Sequence, residues 1–265
     1  MKQNKLNKGK KMKQLTKALC AVPVGALLLA SQAMAAEPTL QEVLNSITVG
    51  PVLGVSSVVV GVPPGVGAGD YIPEGKDAHW AIGGSGGSIA TFVIEITAGA
   101  ATHKLGIYDV VNPSKKVELF GGGAVPGSQV VVSIKADGSV FLNVVTDTGI
   151  DFAGNKFGFY YDALAGDGSA LWYSNTSLNT DGFDHMLAFQ GKGDTIKIDG
   201  LAPGIWGANE YIFGWEDAPG GGDKDYQDLV VLVESINPLP DSGATMVLLG
   251  MGLVGMGMLR RRMTA

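Results

Sequence analysis

Gln129 to Val145 reads Q-V-V-V-S-I-K-A-D-G-S-V-F-L-N-V-V. Two β-branched segments, Gln129–Lys135 and Ser139–Val145, flank Asp137-Gly138, and a D-G pair between such segments is a strong hairpin signal. The chain on both sides has the same texture. Upstream, Ile89–Thr97 alternates with Phe92, Ile94 and Ile96 on one face, and Lys104–Val110 and Lys116–Phe120 follow. Downstream come Lys156–Asp162, Ala170–Tyr173, Met186–Phe189, Thr195–Ile198, Asn209–Trp215 and Leu229–Ser235. Roughly ten to twelve short strands at regular spacing predict an all-β fold, a β-sandwich of jelly-roll type.

Residues 89–236 form the expected β-sandwich domain, and 36–88 a lead and loop-rich segment before it. Within the lead, Glu37–Leu44 suits a short helical turn or a disordered stretch, and Val49–Val62 one or two strands. Val66–Gly87 is loop-like, with Gly83-Gly84-Ser85-Gly86-Gly87. That glycine run precedes neither a helix nor a Lys-Ser/Thr pair, so it is not a phosphate-binding loop.

Gly214 to Glu234 reads G-W-E-D-A-P-G-G-G-D-K-D-Y-Q-D-L-V-V-L-V-E, with carboxylates at Glu216, Asp217, Asp223, Asp225 and Asp228. Acids crowded on a glycine loop repel one another unless a cation sits among them, and oxygen ligands suit Ca²⁺. A second acidic turn, Asn179-Thr180-Asp181-Gly182-Phe183-Asp184-His185, also enters a strand. The expected metal ligands are Asn179, Asp181, Asp184, Glu216, Asp217, Asp223, Asp225 and Asp228, from two loops meeting at one end of the sandwich. Against this stands the plain alternative that D-G and D-x-D loops are solvated turns. Asp228 also suits capping turn amides, and His185 suits packing better than ligation. The D-x-D spacing lacks the Gly at the sixth place and the Glu at the twelfth that an EF-hand requires.

The ends read as addresses. Lys2, Lys5, Lys8, Lys10, Lys11, Lys13 and Lys17, an apolar stretch Ala18–Ala30 and the box Ala33-Met34-Ala35 make residues 1–35 a signal peptide with small residues Ala33 and Ala35 at the cleavage site. Cys20, the one cysteine, lies inside it, so the processed chain is expected to lack disulfides. Residues 237–265 hold Asn237-Pro238-Leu239-Pro240-Asp241-Ser242-Gly243, an apolar segment Ala244–Leu259 read as a single helix, and Arg260-Arg261-Arg262. This tripartite pattern resembles the PEP-CTERM family of bacterial sorting tails, in its V-P-D-S-G variant with Leu239 in place of Val. Pro240, Asp241, Ser242 and Gly243 are the matching motif. The resemblance implies export to the cell envelope, outer surface or matrix of a bacterium and processing by an exosortase-type membrane protease. It also implies membrane association through the helix before processing, with polysaccharide or other surface proteins as surroundings. The plain alternative is a C-terminal anchor.

Seven of the 19 basic residues lie in 1–17 and three in the tail, which leaves nine against 25 acids in residues 36–241, a net charge of −16. Such a surface repels nucleic acid and gathers cations. A second resemblance covers 156–236. Phe157-Gly158-Phe159-Tyr160, Leu171-Trp172-Tyr173-Ser174, Asp181-Gly182-x-Asp184-His185, Gly214-Trp215-Glu216-Asp217 and Gly220-Gly221-Gly222-Asp223-x-Asp225-Tyr226-x-Asp228-Leu229 are similar to the bacterial domain of unknown function 4114. Gln227 stands where that family has Asn. The resemblance implies export and a β fold and names no activity.

Three functions are weighed. The first is a non-catalytic exported surface or matrix protein with a Ca²⁺-stabilised acidic loop. The second is a Ca²⁺-dependent carbohydrate-binding module, with Trp172, Trp206, Trp215, Tyr160 and Tyr161 as a stacking platform. The third, remote, is a glycoside hydrolase, which needs paired carboxylates. Glu216 and Asp217 are adjacent, and alternation along a strand would point them apart. The processed chain has no cysteine and the three histidines are scattered, so no catalytic residues are expected.

Overall fold

The computed structural model describes residues 40–50, 71–84, 87–95, 102–163 and 170–239. The signal peptide with Ala33 and Ala35, most of Val49–Val62, and the tail with Pro240–Gly243 and Arg260–Arg262 lie outside the described residues. No described helix is long and apolar enough to cross a membrane. One helix, α1 (Leu40–Ile47), precedes β1 (Thr48–Gly50), β2 (Tyr71–Ile72), β3 (His79–Ile82), β4 (Ser88–Glu95), β5 (Lys104–Asp109) and β6 (Lys116–Gly121). Then come β7 (Gln129–Ile134), β8 (Ser139–Leu142), β9 (Thr146–Asp151), β10 (Phe157–Ala163), β11 (Ala170–Tyr173) and β12 (Met186–Gln190). The last are β13 (Asp194–Ile196), β14 (Gly204–Trp206), β15 (Glu210–Trp215), β16 (Leu229–Glu234) and β17 (Ile236–Leu239).

The strands form two large antiparallel sheets and a small one. The larger runs β2-β12-β15-β16-β4-β7-β8-β9, and the second β17-β3-β10-β5-β6 with β11 also on β10. Their facing sides share one core, so the fold is the expected sandwich. Aromatic edges join the layers. Trp80 meets Tyr211 at 4.8 Å and Phe213 at 5.0 Å between ring centroids, and Phe159 meets Phe213 at 4.9 Å. Tilted and edge-to-face geometry of this kind adds to the area each ring buries.

The hairpin β7–β8 keeps the register Ile134↔Val140. Its loop is three residues long. Gly138 N–H donates to Lys135 O at 2.9 Å, Gly138 takes φ +95°, and Asp137 Oδ1 accepts from the Ser139 amide and hydroxyl. This is a turn followed by a left-handed glycine, which a side chain would resist. The second strand ends at Leu142 rather than Val145, because Asn143 and Val144 take positive φ and reverse the chain into β9. The lead segment also contributes to the core: β3 inserts Trp80, 0 % exposed, between the sheets.

The outer face of the larger sheet is covered in its middle. Leu40, Val43, Leu44 and Ile47 recur at helical spacing on α1 and pack with Ile196, Ile198 and Trp206 over Leu187, Phe189, Ile212, Val230 and Leu232. Buried on both faces, β16 needs no polar alternation, which explains its continuous apolar run Leu229–Val233.

Candidate metal centre

Trp215 pairs with Leu229 at the end of the β15–β16 ladder, so residues 216–228, with all five carboxylates, form the connecting loop. Strand geometry stops at Trp215. Glu216 N–H donates to His185 O at 3.0 Å, and Asp217 N–H to Asp228 Oδ2 at 2.7 Å, closing the loop on itself. Beyond a single turn at Pro219–Gly221, Gly222, Lys224 and Tyr226 all take positive φ, at 40°, 63° and 55°. Left-handed residues that are not glycine persist only where surroundings hold them. One such hold is α1, whose Leu40 N–H donates to Asp225 O at 3.0 Å.

The folded loop gathers its acids around Glu216. Glu216, Asp223 and Asp225 bring one oxygen each within 4.8 Å of one another, and so do Glu216, Asp217 and Asp228. Glu216 and Asp217 therefore act together, contrary to the expectation that alternation parts them, because β15 ends before Glu216. Glu216 is 1 % exposed and Asp228 5 %. Burial, followed by the charges of Asp223, Asp225 and Asp217, pushes Glu216 up to about 7. Burial and then Asp217, Glu216 and Asp225 push Asp228 up to about 8, against the bond from Asp217 N–H. The one cation in the loop, Lys224, places its Nζ 5.3 Å over the Phe183 ring. The donor set is oxygen only, crowded and under-compensated, which suits a hard cation of high coordination number.

The second acidic turn meets the first, but by hydrogen bonds within the protein. Asn179, 6 % exposed, accepts from Tyr173 N–H at 2.7 Å and donates to Tyr173 O and Phe183 O. Asp181 accepts from Phe183 N–H, from Gly220 N–H at 2.7 Å, and from His185 Nε2 at 2.9 Å. Although burial opposes it, these donors hold Asp181 down at about 2. His185 donates from Nδ1 to Glu216 O at 2.9 Å and stacks on Trp172 at 3.8 Å. Asp184 turns elsewhere, accepting from Met186 N–H while its main-chain oxygen accepts from the Tyr226 hydroxyl at 2.9 Å.

Of the eight expected ligands, the structure thus brings together Glu216, Asp217, Asp223, Asp225 and Asp228. Asn179 and Asp181 are hydrogen-bonded within and between the two turns, and Asp184 lies outside both groups of acids. The stacking platform is likewise corrected. Trp172, Trp206, Trp215, Tyr160 and Tyr161 are buried, none more than 6 % exposed, and cannot offer a face to a sugar. Asp77 is an acid that the sequence reading missed. It is 1 % exposed and lies in a turn read as open loop. No local pattern marks it as buried.

Comparison with known families adds two matches. Residues 146–235 match the model described as Domain of unknown function (DUF4114), and residues 240–263 match the VPDSG-CTERM motif. The first match runs from β9 through β16 and contains both acidic turns. It begins ten residues before the block singled out in the sequence. The second is the sorting tail of exported surface proteins, and it implies processing by an exosortase-type membrane enzyme. No curated protein and no solved structure matches the chain.

Proposed function

We propose that this exported, exosortase-sorted protein is a non-catalytic component of the outer surface or extracellular matrix, and that Glu216, Asp217, Asp223, Asp225 and Asp228 hold a structural Ca²⁺. One observation carries the reading: within thirteen consecutive residues four aspartates gather around one buried glutamate, with one lysine in the loop turned to a ring. A divalent ion would cancel the repulsion and tie the β15–β16 connection to the end of the core. Extracellular Ca²⁺ modules operate at ~10⁻⁴–10⁻³ M, a range in which such a tie is loaded outside the cell and empty within it. Burial of Glu216 and Asp228 supports a structural over a hydrolytic role, since a glycosidic bond would have to lie between exposed carboxyls.

The test is thermal melting of the full-length chain with and without CaCl₂. A site with Ca²⁺ at ten times its dissociation constant gains about 1.4 kcal/mol, or roughly 3–6 °C in a domain of this size. A melting temperature that neither rises at 5 mM CaCl₂ nor falls with chelator overturns the reading. A rise that MgCl₂ reproduces fully would reassign the ion.

A further inference from the structure

The cover over the outer face of the larger sheet stops short of one end. Along β15 and β16 the outward residues alternate, and the register pairs Ile212 with Leu232 and, two residues further, Glu210 with Glu234. Ile212 and Leu232 pack with Ile196 and Ile198, whereas Glu210 and Glu234 are half-buried beyond that cluster. Between them and the segment Ile196–Ile205 lies a cavity of about 90 Å³. Its inner wall is Ile196, Ile198 and Leu232, each no more than 5 % exposed, and its outer lip is Leu201 and Ile205. Its charged lining residues are Glu210 and Glu234, both acidic. Glu210 is held in place: its Oε2 accepts from Gly207 N–H at 2.7 Å, and its main-chain oxygen accepts from Trp206 Nε1 at 3.1 Å. Glu234 is fixed by the ladder on both sides, opposite Glu210 of β15 and Ile89 of β4. Like charges directly opposite on one sheet face repel.

We propose that this cavity is a docking site for a lysine side chain of a partner protein, whose aliphatic stem enters between Ile196, Ile198 and Leu232 while its ammonium rests between Glu210 and Glu234. An aliphatic chain ending in a cation matches both halves of the site, apolar within and doubly acidic at the edge. A cavity of this size has room for about three waters at ~30 Å³ each, and apolar walls give them few partners, so a stem displaces them readily. Lysine fits better than arginine, because its charge is a compact point on a flexible four-carbon stem and a planar guanidinium needs a wider slot. Burial, and then the charge of Glu210, already lifts the Glu234 carboxyl above its ordinary value, the mark of two acids short of a cation. The lip points to a protein-borne lysine rather than a free amine. Ile205 is 59 % exposed and Ala202 and Pro203 near it are exposed, an apolar margin that a partner's surface would cover and a small ligand would leave wet. The net charge of −16 over residues 36–241 draws a basic partner to the domain. None of this depends on a metal at Glu216.

The experiment titrates Nα-acetyl-lysine N-methylamide into the ¹⁵N-labelled full-length chain at neutral pH and follows backbone amide shifts. Shifts at Ile196, Ile198, Ile205, Glu210, Leu232 and Glu234 are expected to saturate together in the millimolar range. The norleucine analogue, which keeps the stem and lacks the ammonium, should bind at least tenfold more weakly. Glu234→Gln and Glu210→Gln, the latter keeping an oxygen for Gly207 N–H, should each weaken the lysine probe at least fivefold. The comparison of lysine with norleucine is made on the native chain, so it decides the matter even if a variant fails to fold. Absence of saturable shifts at these residues overturns the proposal, as does equal binding of the two probes, which would leave a merely apolar cavity. Tighter binding of 1,5-diaminopentane than of the lysine probe would overturn the protein partner and make the site one for a free diamine.

Discussion

The turn at Asn179–His185 and the loop at Glu216–Asp228 look alike as sequence, each a run of acids and glycine entering an apolar strand. Folded, they behave oppositely. In the first, Asn179 and Asp181 make six hydrogen bonds to four residues: Tyr173, Phe183 (from both residues), His185 and Gly220. In the second, the carboxylates gather around Glu216, while the Asp217 and Tyr226 amides and the Gln227 side chain donate to Asp228 and Glu216. An oxygen that accepts two or three protein donors is already satisfied, and one that faces another carboxylate is not. The direction of the pKa displacement separates the two kinds, with Asp181 at about 2 and Glu216 at about 7. A count of acidic residues is therefore not a count of ligands.

The contrast can be broken most sharply at Asn179. Asn179→Ala strands the Tyr173 N–H and two carbonyls in a buried turn, and should cost about 3 kcal/mol, at roughly 1 kcal/mol or more per lost bond. Chemical denaturation measures the loss, and Ca²⁺ affinity should change by less than about twofold, since the proposed ligands all lie in residues 216–228. If Asn179→Ala instead abolished the Ca²⁺ response, the division between the two loops would be wrong.

Gly222→Ala is the next largest. The residue sits at φ +40°, and a Cβ there would lie 2.6 Å from Glu216 Oε1. A side chain in this conformation costs about 1–2 kcal/mol, and displacement of the Glu216 carboxylate should weaken Ca²⁺ at the same time. A smaller effect of opposite sign follows for Glu216→Gln. Without metal at pH 8 it removes the repelled charge and should raise stability by about 1 kcal/mol while the melting response to CaCl₂ disappears.

The smallest effect is in pH. Glu216 and Asp228 have folded-state values near 7 and 8, above the ordinary carboxylate range. A group raised in the folded state contributes stability that is complete below its unfolded value and is lost as pH rises through the folded one. The metal-free protein should therefore lose melting temperature between pH 5.5 and 8.5. Asp181, held at about 2, acts in the opposite sense but only as pH falls below about 4, outside that window. Saturating CaCl₂ should flatten the slope, because the ion replaces the proton. A slope that is unchanged by CaCl₂ would place the titration away from the ion.

Much of the fold is legible from local pattern. The strands around the hairpin, the β10 and β12 segments and the apolar β16 all follow from alternation or from continuous apolar runs. What escaped has a physical reason. β9 reads T-D-T-G-I-D and is an exposed edge strand, so nothing apolar marks it. β3 is four residues long and carries one Trp whose burial depends on Tyr211 and Phe213 in the opposite sheet. The reversal at Asn143–Val144 places a β-branched residue at positive φ, which propensity argues against.

The amino-acid sequence by itself determines the β texture, the sorting tail, and the five carboxylates around Glu216, because their convergence needs only one loop between paired strands. The tertiary structure decides the rest. It spends Asn179 and Asp181 on neighbouring turns, hides the tryptophans, and buries Asp77 in a turn that reads as open loop. The reason is one of range. A short loop's geometry is encoded in its own residues, whereas the partner of a buried polar atom is chosen by the register of strands that meet only after the sheets have formed.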